Sequence, residues 1–193
     1  MLLLEKLKNK KILLASQSPR RQELLQGLGI DFEIIKIEAD ESFPENLTRE
    51  KITEHISRNK AEAVQNLNQN EILITADTLV WLKNSILGKP KNEEDAFRMI
   101  RNMSGKSHEV FTSVTIKSKE KVITFSETTE VVFDDFSDEE IDFYIQNFKP
   151  FDKAGAYGIQ DWLGYAKISK INGCYYNVMG LPLRKLYNAL LEF

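Results

Sequence analysis

The sequence has little of several residue types on which specialised proteins depend. Its 193 residues include one cysteine, two histidines, five prolines and nine glycines. A single cysteine, Cys174, cannot form a disulfide within the chain, and no second thiol or paired histidines have the spacing of a zinc site. We interpret Cys174 as a packed strand residue. The composition is otherwise that of an ordinary globular protein, without low-complexity tracts or internal repeats.

Long hydrophobic runs are also absent. Glu5 and Lys6 interrupt the N-terminal run Met1–Leu4, which is therefore too short for a signal peptide or a membrane span. The formal net charge of −3 gives no bulk basic surface, which argues against a nucleic acid partner. These features predict a cytoplasmic protein that binds neither membranes nor nucleic acids. We expect one domain over residues 1–193, since no change in composition marks a linker.

The hydrophobic pattern predicts a mixed α/β fold. Short apolar runs at 12–15 and 72–76 are typical of buried strands. Alternating patterns at 110–116 and 128–133 indicate antiparallel strands in the second half of the chain. Two further strands are predicted on either side of Asn172-Gly173. Apolar residues at helical spacing between these runs predict helices that flank the sheet.

The most informative segment is Ser16 to Arg21, which joins a predicted strand to a helix that begins at Pro19. Ser18 suits the N-cap, and the free backbone N–H groups of such an end bind anions. Arg20 and Arg21 stand in the first turn, where the helix dipole disfavours cations. An anionic ligand such as a phosphate would explain them. Solvent-facing arginines on a plainly capped helix are the alternative.

Three lysines add to this set of cations. Lys60 lies near the apolar face of a predicted helix, Lys89 is fixed in a Gly-Lys-Pro turn, and Lys153 begins a loop with two glycines. With the two arginines they would offset much of the roughly four negative charges of a nucleoside triphosphate. Tyr157, in the same loop as Lys153, is a candidate to stack on a base. Taken singly, a turn lysine such as Lys89 is more often simply exposed to solvent.

Two carboxylates complete the candidate site. Asp77 follows the apolar run at 72–76, and we expect it at the carboxyl end of that strand, where open sheets bind ligands. An aspartate beside a buried strand needs a partner, and Mg²⁺ or Mn²⁺ is one such partner. Glu41, in an acidic loop, would supply a second carboxylate. A turn-capping Asp77 and a solvated Glu41 are the alternatives. We interpret both histidines, His55 and His108, as structural.

The ordered set of motifs resembles the Maf family of nucleoside triphosphate pyrophosphatases over nearly the whole chain. The motifs are Ala15–Arg21, Ala76–Thr78, Gly88–Pro90, Ser104–His108, Asp152–Gln160 and Gly180–Pro182. The resemblance implies a fold like that of the inosine triphosphate pyrophosphatases, with a long curved mixed sheet, flanking helices and two lobes around a cleft. The implied reaction is hydrolysis between the α- and β-phosphates, which gives a nucleoside monophosphate and pyrophosphate with the help of a divalent metal.

The resemblance also implies roles for the candidate residues. Asp77 looks like the base that activates water, and Glu41 and Asp77 look like the carboxylates on the metal side. The residues that look like phosphate and active-site contacts are Ser16, Arg20, Arg21, Lys60 and Lys89. Lys153 joins them as a predicted substrate-binding cation. A nucleotide is therefore the expected partner, and the sequence leaves a homodimer open.

Three positions distinguish the branches of the family. A branch that acts on 7-methylguanosine triphosphate typically has tryptophan, glutamine and glutamate where this chain has Arg20, Thr78 and Gln160. All three residues resemble the branch that acts on dTTP and UTP, and we also expect activity on modified pyrimidine triphosphates. The Gln160 amide suits a pyrimidine edge because it both donates and accepts, whereas glutamate only accepts. The chain departs from the family pattern at Thr75 and Asp161, where glycine is usual. We expect Thr75 to alter only strand packing, whereas Asp161 would change the loop that closes over the base and so leaves selectivity among pyrimidines open.

Two other functions stay open at this point. The chain could catalyse the same reaction on another nucleotide, such as 7-methyl-GTP. It could also be a nucleotide-binding regulator, since the family is named for an effect on septum formation. The sequence identifies neither the preferred metal nor the cellular substrate.

Overall fold

The computed structural model describes residues 2–193 and has the predicted mixed α/β fold. Its strands are β1 Lys11–Leu14, β2 Phe32–Ile34, β3 Glu71–Leu82, β4 Ser85–Leu87, β5 Ser107–Lys117, β6 Val122–Phe133 and β7 Ile168–Asn172. The α-helices in this part of the chain are α1 Leu3–Lys6, α2 Pro19–Gly27, α3 Glu50–Glu62, α4 Glu93–Met103, α5 Asp138–Phe148, α6 Trp162–Lys167, α7 Tyr175–Val178 and α8 Leu183–Leu190. Between residues 2 and 193, no helix is both long and apolar enough to cross a membrane.

All seven strands belong to one mixed sheet, in the order β2-β1-β3-β5-β6-β7, with β4 paired to β3. The pairs β1–β2 and β1–β3 are parallel, whereas β3–β4 and β6–β7 are antiparallel. The chain forms two compact units, and β3, β5 and β6 contribute residues to both. The first takes the chain up to Asp77 with Thr112–Glu127 and Gly180–Phe193, and the second takes Thr78–Phe111 and Thr128–Met179. The single domain over residues 1–193 stays a prediction.

The core of the first unit lies between α3 and the strands β1 and β3. Leu13 and Leu73 are paired in register, and both pack with Ala61 of α3. Buried hydroxyl groups connect the same helix to β5, where Thr53 Oγ1 lies 2.6 Å from Ser113 Oγ. Because apolar and polar contacts both fix α3, the side chains of its last turn have a defined direction.

The core of the second unit is rich in aromatic residues. Phe111, Phe133 and Tyr144 are all buried, and α4 packs against α5. A capping box begins α5, since the Ser137 hydroxyl accepts from the Glu140 N–H and the Glu140 carboxylate accepts from the Ser137 N–H. The helix that carries Tyr144 is therefore fixed at its N-terminal end as well as by packing.

Asp77 does not end a strand, and the prediction that it would was wrong. β3 runs from Glu71 to Leu82 without a break. Its parallel neighbour β1 ends earlier, at the residue opposite Ile74. Beyond that point the Ala76 carbonyl accepts a hydrogen bond from Arg21 Nη1 at 2.9 Å. Past the end of β1, β3 keeps β5 as its other neighbour and pairs with β4 at Val80–Leu82, while the Arg21 side chain satisfies the Ala76 carbonyl.

The strand predicted after Asn172-Gly173 was also wrong. Gly173 has a φ of +133°, and the chain continues into the short helix α7. Cys174 stands at the N-cap of that helix rather than in a strand. Its N–H donates to the Thr129 hydroxyl at 3.0 Å, and its carbonyl accepts from the same hydroxyl at 3.1 Å. Cys174 itself keeps an extended backbone, and these two bonds hold it against Thr129 at the point where α7 begins.

Candidate active site

The predicted anion-binding segment forms the junction between β1 and α2. Ser18 occupies the N-cap and Pro19 the first turn, but the Ser18 side chain makes no capping bond. The Ser16 hydroxyl accepts the Ser18 N–H instead, at 3.2 Å. Arg20 follows in the first turn and is partly buried. The junction is therefore stabilised from Ser16, which is itself buried, rather than from the predicted cap.

Arg21 is a fixed residue within the first unit. Its Nε donates to the Gly180 carbonyl at 2.8 Å, and its Nη1 donates to the Ala76 carbonyl at 2.9 Å and to the Ser16 hydroxyl at 3.4 Å. These bonds tie the first turn of α2 to the backbone next to Asp77. A cation is thereby held beside Asp77.

Lys60 joins the two predicted carboxylates. Its Nζ lies 2.9 Å from Asp77 Oδ1 and 2.9 Å from Glu41 Oε1. The side chains of Lys60 and Asp77 are each 13% exposed, whereas that of Glu41 is 62% exposed. The ammonium thus bridges a carboxylate in a buried strand and another on an exposed loop. Glu41 thus has an ion-pair partner at the candidate site, and its role as a carboxylate on the metal side stays a prediction.

Asp77 lies in an environment that disfavours its charge. Burial raises the pKa of the Asp77 carboxyl above its ordinary value, and the nearby Lys60 ammonium and Arg21 guanidinium oppose part of that rise. The Glu41 carboxylate adds to the rise because it carries the same charge. A carboxylate with a raised pKa accepts a proton more readily, which suits a general base.

The same pair of carboxylates fits a divalent cation. Within residues 2–193, no three His, Cys, Asp or Glu side chains gather closely enough to hold a metal ion by themselves. Mg²⁺ typically needs fewer, since it binds through one or two carboxylates together with substrate phosphates. Glu41 and Asp77 already converge on one positive charge, the Lys60 ammonium. Their donor set therefore matches a hard cation that completes its coordination with phosphate oxygens and water.

In the second unit, Lys89 and the glycine loop are connected through the backbone. Lys89 is exposed, and the preceding Gly88 carbonyl accepts a hydrogen bond from the Gly155 N–H at 2.9 Å. Gly155 has a φ of +70°, and a Cβ there would lie 3.0 Å from a methyl group of Val80. Glycine is required at this position by both backbone conformation and space. The bond between the two glycines fixes the turn that carries Lys89.

Lys153 is held by two carboxylates, only one of which is its neighbour in sequence. Its Nζ lies 2.9 Å from Asp152 Oδ1 and 3.6 Å from Asp161 Oδ2. The Tyr144 hydroxyl donates to the same Asp161 oxygen at 2.9 Å. Sequence patterns place Tyr144 simply on the apolar face of α5. The one sequence feature that pointed to these contacts is Asp161 itself, which stands where the family usually has glycine.

Two residues of the predicted specificity set, Thr78 and Gln160, lie in the second unit. Thr78 follows Asp77 in β3 and is partly buried, and Gln160 lies in the turn before Asp161. Gln160 Oε1 is buried and has no hydrogen-bond partner among residues 2–193. The three residues of the predicted specificity set, Arg20, Thr78 and Gln160, stay predictions in that role.

His108 and Tyr157 form a buried polar pair. His108 Nε2 lies 2.7 Å from the Tyr157 hydroxyl, and the Phe133 ring packs against both rings. Burial lowers the pKa of His108 to about 4, so the imidazole is neutral at physiological pH. Tyr157 is 5% exposed and fills the core, which leaves it little surface for the predicted stacking on a base.

Comparisons with known proteins agree with one another. A family model described as Maf-like protein matches residues 11–193. A dTTP/UTP pyrophosphatase of Flavobacterium johnsoniae is 50% identical over 190 residues, which are 98% of this chain and 98% of that protein. A dTTP/UTP pyrophosphatase of Bacteroides thetaiotaomicron is 49% identical over 181 residues, which are 93% of this chain and 94% of that protein.

A solved structure shares the fold. A HAM1 protein from Coxiella burnetii matches 95% of this chain and 100% of its own, with a TM-score of 0.52 and 15% sequence identity. At this low identity the likeness concerns the fold and carries no assignment of function.

Proposed function

This chain belongs to the Maf family, and we propose that it is a nucleoside triphosphate diphosphatase that hydrolyses dTTP and UTP to the monophosphate and pyrophosphate. The observation that carries the proposal is the identity of about half of its residues, over nearly the whole chain, with proteins named dTTP/UTP pyrophosphatase. Arg20, Thr78 and Gln160 support the same preference for pyrimidines. The proposal extends to modified pyrimidine triphosphates, with residues 1–193 acting as one domain in the cytoplasm.

In this reaction Asp77 takes the proton of the attacking water. The water oxygen forms a bond to one of the two phosphorus atoms that flank the α–β bridge. The bond from that phosphorus to the bridging oxygen breaks, and the bridging oxygen stays on the phosphate that was not attacked. A general base must be held in one orientation within reach of the proton that it accepts. The bond from Lys60 to Asp77 at 2.9 Å and the near-complete burial of both side chains support that role.

The phosphates would be bound by hydroxyl and cationic groups. We assign these contacts to Ser16, Arg20, Arg21, Lys60, Lys89 and Lys153. Arg21 differs from the others, since two of its hydrogen bonds go to the carbonyls of Ala76 and Gly180. It would therefore act through its fixed charge and by holding the strand that carries Asp77.

Glu41 and Asp77 are the proposed ligands of Mg²⁺ or Mn²⁺. The convergence of both carboxylates on the Lys60 ammonium supports this assignment. When bound, such a cation neutralises charge on the phosphates and lowers the pKa of a coordinated water. Lys60 would hold the nearly buried Asp77 carboxylate and the exposed Glu41 carboxylate close to each other, so that both lie near the position of the cation.

A substrate panel tests the proposal. Pyrophosphate release should be measured for dTTP, UTP, CTP and 7-methyl-GTP with Mg²⁺ or Mn²⁺ present. We expect kcat/KM to be higher for dTTP and UTP than for the other two nucleotides. A higher kcat/KM for 7-methyl-GTP would reassign the substrate, and the absence of pyrophosphate release from every nucleotide would reject the enzymatic function.

A further inference from the structure

The turn that carries Gln160 is fixed by side chains to which the proposed reaction gives no role. The Asp161 N–H donates to the Gly158 carbonyl at 3.1 Å, which closes a turn with Ile159 and Gln160 at its centre. The Gly158 N–H donates to Tyr144 Oη at 3.0 Å, and the Tyr144 hydroxyl donates to Asp161 Oδ2 at 2.9 Å. Since Tyr144 is fully buried, water does not compete for these bonds.

Asp161 does not use its side chain as its position in the sequence suggests. It is the N-cap of α6, where an aspartate normally accepts hydrogen bonds from the first N–H groups of the helix. No such bond is made by its carboxylate, which accepts from Tyr144 and lies 3.6 Å from Lys153 Nζ. The carboxylate therefore stabilises the loop at the expense of the helix cap.

Two glycines provide the space that this arrangement needs. A Cβ on Gly158 would lie 2.5 Å from Asp161 Oδ2 and 3.1 Å from Lys153 Cε. A Cβ on Gly164 of α6 would overlap the Ile159 carbonyl. The turn is thus packed closely on both sides, and its backbone has little freedom to move.

A fixed backbone matters for the discrimination that Gln160 is proposed to make, because it sets the position of the side-chain amide and of the groups packed around it. A side-chain amide that turns over exchanges its donor and its acceptor, so an unrestrained glutamine matches the edges of uracil and cytosine equally well. Gln160 Oε1 is a buried acceptor that no donor within residues 2–193 satisfies. Uracil and thymine have an imide N–H that would satisfy it, whereas the ring nitrogen at that position in cytosine is an acceptor.

We propose that Asp161 and Tyr144 are positioning residues that fix the Gln160 amide for uracil and thymine and that orient Lys153 through the same carboxylate. This inference rests on the proposed function, since it requires the Gln160 amide to contact the base. Both residues act through Gln160 and Lys153, and no bond of the reaction forms or breaks on them.

Binding of uncleavable nucleotides tests the inference without turnover. The dissociation constants of α,β-methylene-UTP and α,β-methylene-CTP should be measured by calorimetry for the wild-type protein, Tyr144→Phe and Asp161→Ala. We expect the wild-type protein to bind the uracil analogue more tightly than the cytosine analogue. In each variant the ratio of the two dissociation constants should fall about tenfold, which corresponds to one hydrogen bond. Asp161→Asn keeps an acceptor for the Tyr144 hydroxyl, so it should recover most of the preference.

Ser137→Ala provides a matched control, because it removes the cap of the helix that carries Tyr144 without touching the loop. It should lower thermal stability and leave the binding ratio unchanged. Amide hydrogen exchange should rise in residues 153–161 of Tyr144→Phe and Asp161→Ala, but not in the control. Unchanged ratios in the two variants, or equal changes in the control, would overturn the inference.

The same measurements separate this inference from the proposed function. A wild-type protein that prefers the uracil analogue but releases no pyrophosphate from UTP would reject the enzymatic function, and the ratios in the variants would still decide the role of Asp161. A wild-type protein that binds neither analogue would overturn both.

Discussion

Lys60 in the first unit and Lys153 in the second are each held by two carboxylates, yet the carboxylates differ in their other partners. The difference separates a residue proposed for proton transfer from a residue that orders a loop. Each ammonium lies between one exposed and one nearly buried carboxylate. At Lys60 the buried partner, Asp77, is at 2.9 Å. At Lys153 the more buried partner, Asp161, is at 3.6 Å and accepts a hydrogen bond from the neutral Tyr144 hydroxyl.

The comparison shows two uses of a buried carboxylate. Burial raises the pKa of the Asp77 carboxyl although the Lys60 ammonium opposes part of that rise, so this residue is a stronger proton acceptor than an exposed aspartate. Asp161 accepts a fixed hydrogen bond from a neutral group and thereby orders a loop. Proton transfer is expected at the first site, and control of substrate binding at the second.

The largest difference between the two sites should appear in kcat when Asp77 and Asp161 are each replaced by asparagine. Asp77→Asn removes the proposed base, and we expect kcat to fall on the order of 10³-fold while nucleotide binding remains measurable. Asp161→Asn should change kcat by less than about tenfold and act mainly on nucleotide affinity. Steady-state kinetics with UTP and calorimetry would measure both effects. Equal losses of kcat in the two variants would remove the distinction between the sites.

Acid should destabilise the protein because the His108 imidazole is buried in the second unit. The unfolded chain has a histidine pKa near 6.5, whereas burial lowers the pKa of His108 to about 4 in the folded protein. Above pH 6.5 the group is neutral in both states and its contribution to stability is complete. As the pH falls from 6.5 to 4, the unfolded chain binds a proton that the folded protein does not, and about 3 kcal/mol is lost.

Urea unfolding of the wild-type protein and His108→Gln at several pH values between 7 and 4 would measure this contribution. The variant should show a shallower loss of the free energy of unfolding over that interval. Parallel pH profiles would show that the buried imidazole does not contribute to acid sensitivity.

Removing each lysine should sharpen the comparison further. Lys60→Met leaves the buried Asp77 carboxylate without its bonded cation, and we expect kcat/KM for UTP to fall about 100-fold. Lys153→Met leaves Asp161 with the Tyr144 hydroxyl, so the expected loss is about tenfold. Lys60→Arg keeps the charge and should retain more activity than Lys60→Met. A larger loss for Lys153→Met than for Lys60→Met would reverse the assigned roles.

Replacing Gly155 or Gly27 by alanine should change the free energy of unfolding by small amounts of opposite sign. Gly155→Ala in the second unit forces a side chain into a φ of +70° and against Val80, so we expect it to lower the free energy of unfolding by about 1–2 kcal/mol. Gly27→Ala at the end of α2 meets nothing within 4 Å and should raise it by about 0.5 kcal/mol. Thermal unfolding of both variants would test the signs, and stabilisation by Gly155→Ala would contradict the described loop.

Part of this arrangement could be predicted because the signals are local. Hydrophobic runs identify β1 and β3, and the pattern of Ser137 and Glu140 identifies the start of α5. Side chains at the candidate site were named from residue types and from the family motifs that they match. Local patterns also failed in places, as after Asn172-Gly173, where Gly173 has a φ of +133° and Cys174 is bonded to a hydroxyl 45 residues away in sequence.

The partners of the site residues could not be predicted, because they depend on contacts between distant segments. The continuation of β3 past Asp77 depends on its pairing with β4 and on its place beside β5, and the Arg21 side chain reaches the Ala76 carbonyl from a distant segment. The bridge from Lys60 to Glu41 and the bond from Tyr144 to Asp161 also join segments that no periodic pattern relates. Sequence patterns give the chemical groups, and tertiary packing decides which of them meet.

The most direct test of the central claim is phosphorus NMR of UTP incubated with the wild-type protein and with Asp77→Asn in the presence of Mg²⁺. The proposed roles predict equal amounts of UMP and pyrophosphate from the wild-type protein and almost none from the variant. Formation of UDP and orthophosphate, or undiminished pyrophosphate from Asp77→Asn, would contradict the claim that Asp77 activates water for cleavage between the α- and β-phosphates.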